Sequence, residues 1–177
     1  MNPPPKPFDI AQWQKKDRGV IVQRFVASAV KMPGQTDPTK TKTLLHWRGG
    51  GAYKLGLSGR STSYDTRKDG SDPVIEVQLI SKDFEVSRAA PYYWDTLLAK
   101  EYTTTQIYEL MVARNFNRYM YNGNGSGCLT WTTALVQLLE DEDVLPPGSV
   151  AAFQAKVAQA RADPIYWVPD EPGAHFY

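Results

Sequence analysis

The period of the apolar positions divides the chain: alternation marks the first half, and a three-to-four spacing the second. From Gly19 to Met32, Val20, Val22, Val26 and Val30 surround Phe25, which predicts a long or bulged strand. Pro33, Gly34, Asp37 and Pro38 then punctuate a loop. The runs Thr41–Arg48 and Ala52–Ser58 flank three glycines, Gly49, Gly50 and Gly51, and predict a β-hairpin with a bulged turn. Pairing Arg48 with Ala52 across that turn sets His46 opposite Lys54 and Leu44 opposite Gly56. Alternation puts Leu44, His46 and Arg48 on one face and Leu45 and Trp47 on the other, and a slip of one residue would reverse the faces. Residues 59–72 are polar throughout and read as a mobile loop. Pro73–Phe84 returns to a strand through Ile75, Val77 and Leu79, and 91–98 is an aromatic connector.

The helical period begins after Thr103, which forms a capping box with Gln106 ahead of the seam Ile107, Leu110 and Met111. A second helix opens at Cys128 behind a lead-in of asparagine, glycine and serine, with Cys128, Trp131, Leu135 and Leu138 on one seam and Ser126 as its expected N-cap. A third helix runs from Ser149 to Ala162, turns Val150, Phe153, Val157 and Ala160 inward, and stops at Pro164. The tail from Ile165 carries Tyr166, Trp167, Phe176 and Tyr177, too much aromatic surface to leave in water, and is expected to dock. Residues 1–18 begin with prolines and read as an extended arm over a single α+β domain spanning 19–177, with Phe8, Ile10 and Trp13 as its contacts. The expected domain is an antiparallel sheet of four or five strands with about three helices packed on it.

Composition narrows the function classes. A chain of 177 residues supports a core without staples, and its single cysteine excludes an internal disulfide. The start of the chain lacks the apolar stretch of a signal peptide and no run is long enough to span a membrane, so a cytoplasmic protein with no membrane partner is expected. A net charge of +1, with basic and acidic residues interspersed, gives no pull toward nucleic acid. One cysteine and two histidines are too few for a structural zinc site, and the glycine-rich lead-in lacks the lysine of a phosphate loop. No metal or cofactor is expected; the expected partner is a small-molecule substrate, and a homodimer stays open.

The chemistry centres on Cys128. A thiol in the first turn of a helix meets the partial positive charge of unpaired N–H groups, which favours the attacking thiolate, although lone cysteines also fill cores. Its base would be His46, on a rigid strand, rather than His175 near the end of the chain. Gln78 or Glu76 on the next strand is the expected third member, with Asp65 in the polar loop a weaker choice. Lys54 opposite His46 would disfavour an imidazolium. The Cys128 N–H and a neighbouring loop amide would hold an oxyanion. Trp47, Lys54, Tyr93, Trp94, Tyr121 and Trp131 are the candidate substrate contacts, the aromatics forming a wall for a flat or apolar molecule.

A strand histidine followed by a sheet and then a cysteine opening a helix is the layout of circularly permuted papain-like enzymes. Tyr121 to Trp131, with polar residues leading into Cys128 and an aromatic three residues later, resembles the nucleophile segment of lecithin retinol acyltransferase-like proteins and PPPDE peptidases. A closer resemblance, over most of 20–150, is to a fungal family of unknown function with an Asn-His-Trp strand, an Arg-Leu-Asn strand and a Gly-Cys-Arg-Phe-Trp helix start. Here Leu45-His46-Trp47, Lys54-Leu55-Gly56 and Gly127-Cys128-Leu129-Thr130-Trp131 stand at those places. His46, Trp47, Gly127, Cys128 and Trp131 carry over, whereas the polar supporting residues are replaced by Leu45, Gly56, Leu129 and Thr130. The resemblance implies a place in natural-product biosynthesis. The leading expectation is a small cysteine-dependent hydrolase or acyltransferase. A non-redox cyclase or isomerase using the aromatic cleft is the second, and a binding module in which Cys128 is core is the third.

Overall fold

The structure, a computed structural model, describes residues 2–124 and 126–177; Met1, in the proline-rich start, and Gly125, within the lead-in to Cys128, lie outside the described residues. The architecture is α+β. Five antiparallel strands, β1 (Arg24–Thr36), β2 (Thr43–Leu55), β3 (Ser58–Lys68), β4 (Ile75–Lys82) and β5 (Tyr92–Leu97), stand in the order β4-β3-β2-β1-β5. Three helices follow, α1 (Thr104–Ala113), α2 (Cys128–Asp141) and α3 (Ser149–Ala162), with β6 (Tyr119–Met120) between the first two. In the tail, β7 (Tyr166–Trp167) joins β2 in parallel as a sixth strand, and β8 (His175–Phe176) pairs with β6.

The alternation read along β2 is the one observed. Leu45 and Trp47 are buried toward the helices, with the Trp47 ring 5.3 Å from that of Phe153 on α3, while His46 and Arg48 are half-buried on the opposite face. The expected capping box opens α1, and α3 runs over the expected residues with Phe153, Val157 and Ala160 inward.

Two predicted connections are strands. The triple glycine is not a turn: β2 runs straight through it, and the chain reverses at Gly56, whose φ of 61° suits a residue without Cβ. The glycines serve packing, because a Cβ on Gly49 would stand 2.9 Å from the Phe25 ring and 3.1 Å from Leu135 of α2. With the turn moved, His46 pairs with Val30 and Lys54 with Gly59, so the two are not opposite one another. The polar stretch 59–72 holds β3, a central strand paired on both sides. It satisfies its polar groups internally: the hydroxyls of Thr62 and Tyr53 bond at 3.0 Å, Ser61 donates to the Phe84 carbonyl at 2.7 Å, and Arg60 forks onto Asp17 at 2.8 Å. The aromatic connector contains β5, the edge strand.

The arm lies along the sheet. Asp9 exchanges backbone bonds of 2.8 and 2.9 Å with Val77 and Leu79 of β4, and Trp13 is buried against Tyr108 of α1. This arm covers the outer edge of β4 that would otherwise present unpaired backbone.

Pairing of β2 with β3 runs from Leu55↔Ser58 to Gly49↔Tyr64 and stops there. Beyond that point β2 continues against β1, through His46↔Val30, while β3 continues against β4, through Asp65↔Gln78. The two strands fork, and the vacated edge of β2 needs other partners. The Trp47 N–H donates to the Cys128 thiol at 3.4 Å, and the Thr43 N–H to the Ile165 carbonyl at 3.0 Å beside β7.

Candidate active site in the sheet fork

Three side chains converge on the fork from three elements. Cys128, 8% exposed, enters from the first turn of α2. His46 reaches in from the polar face of β2, and its Nε2 lies 2.5 Å from Oδ1 of Asp65 on β3. That bond leaves Nδ1 as the ring nitrogen available to the thiol. All three side chains line a cavity of about 540 Å³, walled on one side by Val30, Met32 and Leu44.

The electrostatics follow from this placement. Burial alone pushes the His46 imidazole toward neutrality, but its interactions with Cys128 and with the Asp65 carboxylate outweigh it and hold the ring well above the ordinary value of 6.5. Burial likewise works against the Asp65 carboxylate, yet His46 and, more distantly, Arg48 keep it below its ordinary 3.8. A thiol, an imidazole and a carboxylate are the groups with which an imidazole activates a nucleophile while a third group orients the ring. Lys54, on the exposed end of β2, does not oppose the imidazolium.

The lead-in is built to deliver the thiol. Asn122 Oδ1 accepts from the N–H groups of Asn124 and Ser126, at 3.0 and 2.9 Å, and folds the loop back on itself. Tyr121 ties this loop to β3, its hydroxyl bonding the Thr66 hydroxyl at 2.6 Å, and a Cβ at Gly127 would stand 2.6 Å from the Tyr121 ring. Burial, and next the nearby Cys128 charge, push the Tyr121 phenol well above its ordinary range, so it stays neutral and donates.

The cap of α2 comes from elsewhere than expected. Gly127 occupies the N-cap position, and Ser126 makes no capping bond to the helix. Glu171 from the tail takes that role: Oε2 accepts from the Thr130 N–H at 2.7 Å, and Oε1 from the Leu129 N–H at 3.3 Å and the Ser126 hydroxyl at 3.1 Å. The same Oε1 lies 3.8 Å from the Cys128 thiol. Of the amides in that turn, the Cys128 N–H is the one Glu171 does not take.

The other expected site residues are dispersed. Gln78 lines the cavity across from Asp65, but its amide donates to Asp9 and Glu76, at 3.0 and 3.3 Å, and the group bonded to His46 is Asp65. Trp47 and Trp131 are core residues, the Trp131 indole donating to the Phe116 carbonyl at 2.9 Å. Tyr93 and Trp94 stand on β5 beside a separate recess, and Lys54 does not line the cavity. Among the expected substrate contacts only Tyr121 lines the cavity, whose other apolar residues are aliphatic. His175 is exposed with Nδ1 on the Gly173 carbonyl at 2.7 Å, and it is not a wall residue either. Among the described residues no group of three or more histidine, cysteine and carboxylate side chains stands close enough to hold a metal ion, and no helix is long and apolar enough to cross a membrane.

Fold and fork thus define an α+β domain with a cysteine, a histidine and an aspartate lining one cavity. Residues 24–174 match the model of a domain of unknown function (DUF7770), and the chain belongs to that family. Comparison with curated proteins and with solved structures brings no match.

Proposed function

We propose that the protein is a small cysteine-dependent acyl-transfer enzyme, a hydrolase or acyltransferase acting on a small molecule, with Cys128 as nucleophile, His46 as acid and base, and Asp65 as the residue that orients His46. The observation that carries the reading is that His46, bonded to the Asp65 carboxylate, lines one cavity with the Cys128 thiol. In the proposed cycle the Cys128 sulfur attacks a carbonyl carbon, and the carbonyl oxygen takes up negative charge beside the Cys128 N–H. Collapse breaks the bond to the leaving group, which receives the proton held on His46, and leaves a thioester on Cys128. Water or an acceptor hydroxyl or amine then attacks that thioester while His46 takes its proton, and the acyl product departs with the thiol restored. The order of parts, strand histidine before helix cysteine, supports a permuted papain-like relationship, and the resemblance to a fungal family supports a role in natural-product chemistry. A free catalytic thiol suits the reducing cytoplasm. The rival cyclase reading rested on an aromatic wall, and the tryptophans meant to build it pack elsewhere.

The test is alkylation of Cys128 by iodoacetamide at neutral pH, followed by intact mass, in the native protein and in the same protein unfolded by urea. The proposal expects native Cys128 to react at least about tenfold faster than the unfolded chain, and His46→Ala to abolish the excess. Native labelling no faster than unfolded labelling leaves Cys128 as a core residue.

A further inference from the structure

Arg48 stands on the same face of β2 as His46, half-buried, and lines the same cavity. It also lines a small recess on the polar face of the sheet together with Lys82 of β4, the serines Ser61 and Ser63 of β3, and Glu85. Two cations facing one recess normally attract a carboxylate from their own chain. Here neither makes an ion pair, for every ion pair among the described residues involves other groups. The carboxylates nearest by position are already engaged: Asp65 by His46, and Glu85 by Arg24 at 2.7 Å. Burial, and next the charge of Arg48, push the Lys82 amine down, with the Asp65 charge opposing them. Arg67 and Lys68 add further positive charge to the rim of the cavity.

We propose that Arg48, backed by Lys82, is the substrate-recognition site for an oxyanionic group, carboxylate or phosphate, so that the substrate is an acyl compound carrying a negative charge near its reacting carbonyl. The guanidinium presents paired donors that match either oxyanion, and its place beyond His46 on the same strand face sets the bound anion beside the thiol. The aliphatic wall of Val30, Met32 and Leu44 then receives the apolar part of the acyl chain. This inference rests on the acyl-transfer reading, and the test keeps the two apart.

Cys128 is alkylated in parallel with iodoacetate, which is anionic, and with iodoacetamide, its neutral counterpart. The ratio of the two rates is compared with the ratio in the urea-unfolded protein. Recognition of the anion raises the native ratio by about tenfold, Arg48→Met returns it close to the unfolded value, and Lys82→Met lowers it in part. Inorganic phosphate and succinate are added as competitors: slowing of iodoacetate labelling by one of them identifies the preferred oxyanion, and slowing by neither overturns the inference. A native wild-type ratio at or below the unfolded ratio, with iodoacetamide still fast, overturns it without touching the acyl-transfer reading. Native iodoacetamide labelling that is no faster than unfolded overturns both.

Discussion

Replacing Asp65 by Asn removes a negative charge that raises the His46 ring, so the ring must titrate at lower pH in the variant. Cys128→Ser removes the other group that raises His46 and shifts the ring in the same direction. Titration of His46 followed by NMR checks both; an unmoved midpoint in Asp65→Asn contradicts the pairing. The same groups couple stability to pH. An imidazole raised above 6.5 contributes fully below that pH and loses its contribution as pH climbs through the folded-state value. A carboxylate depressed below 3.8 contributes above that pH and loses its contribution as pH falls through the folded-state value. The gap in urea stability between wild type and Asp65→Asn is therefore widest between about pH 4 and 6.5 and narrows on both sides. A gap that widens steadily toward alkaline pH would contradict this. Residue type and supporting element mark Cys128 and His46 as candidates, and the structure brings both to one cavity. Asp65, which bonds His46, ranks behind Gln78 in the sequence because the polar stretch that carries it reads as a loop.

The polar stretch that carries Asp65 is a strand paired on both sides. β3 lacks the apolar alternation by which a half-buried strand is recognised, since Arg60, Ser61, Thr62 and Ser63 are buried through hydrogen bonds and an ion pair instead of through hydrocarbon. The triple glycine misled for the opposite reason: glycine signals a turn when it supplies a positive φ, whereas at Gly49 it supplies room for Phe25 and Leu135. Gly49→Val should cost roughly 1–3 kcal/mol in urea denaturation through overpacking, and an unchanged midpoint would mean that the close approach relaxes freely. The helices were legible to within a residue or two because their seams and caps are local. The α2 cap was the exception, since Glu171 lies in the tail and no nearby pattern announces it. Glu171→Ala should cost about 1 kcal/mol, read by urea denaturation, with Glu171→Gln losing less because the amide oxygen still accepts from the first turn.

At the scale of the molecule, the fork exists because the sheet is closed by segments distant in sequence. The arm seals β4, the tail supplies β7 to the edge of β2 and Glu171 to α2, and β8 pins the tail to β6. Deleting residues 164–177 should therefore lower the thermal midpoint and, at the same time, loosen the Cys128 turn, which hydrogen exchange of the first α2 amides would register. An α+β class with three helices could be read from periodicity, but the opening between β2 and β3 depends on where pairing stops, which side-chain pattern does not encode. Nucleophilic acyl transfer at the fork is tested most directly by the mass of the protein after brief exposure to p-nitrophenyl acetate. One acetyl group is expected on Cys128 in the wild type, far less in His46→Ala, and none at that position in Cys128→Ser. Acetylation that spares Cys128, or that proceeds equally without His46, would contradict it.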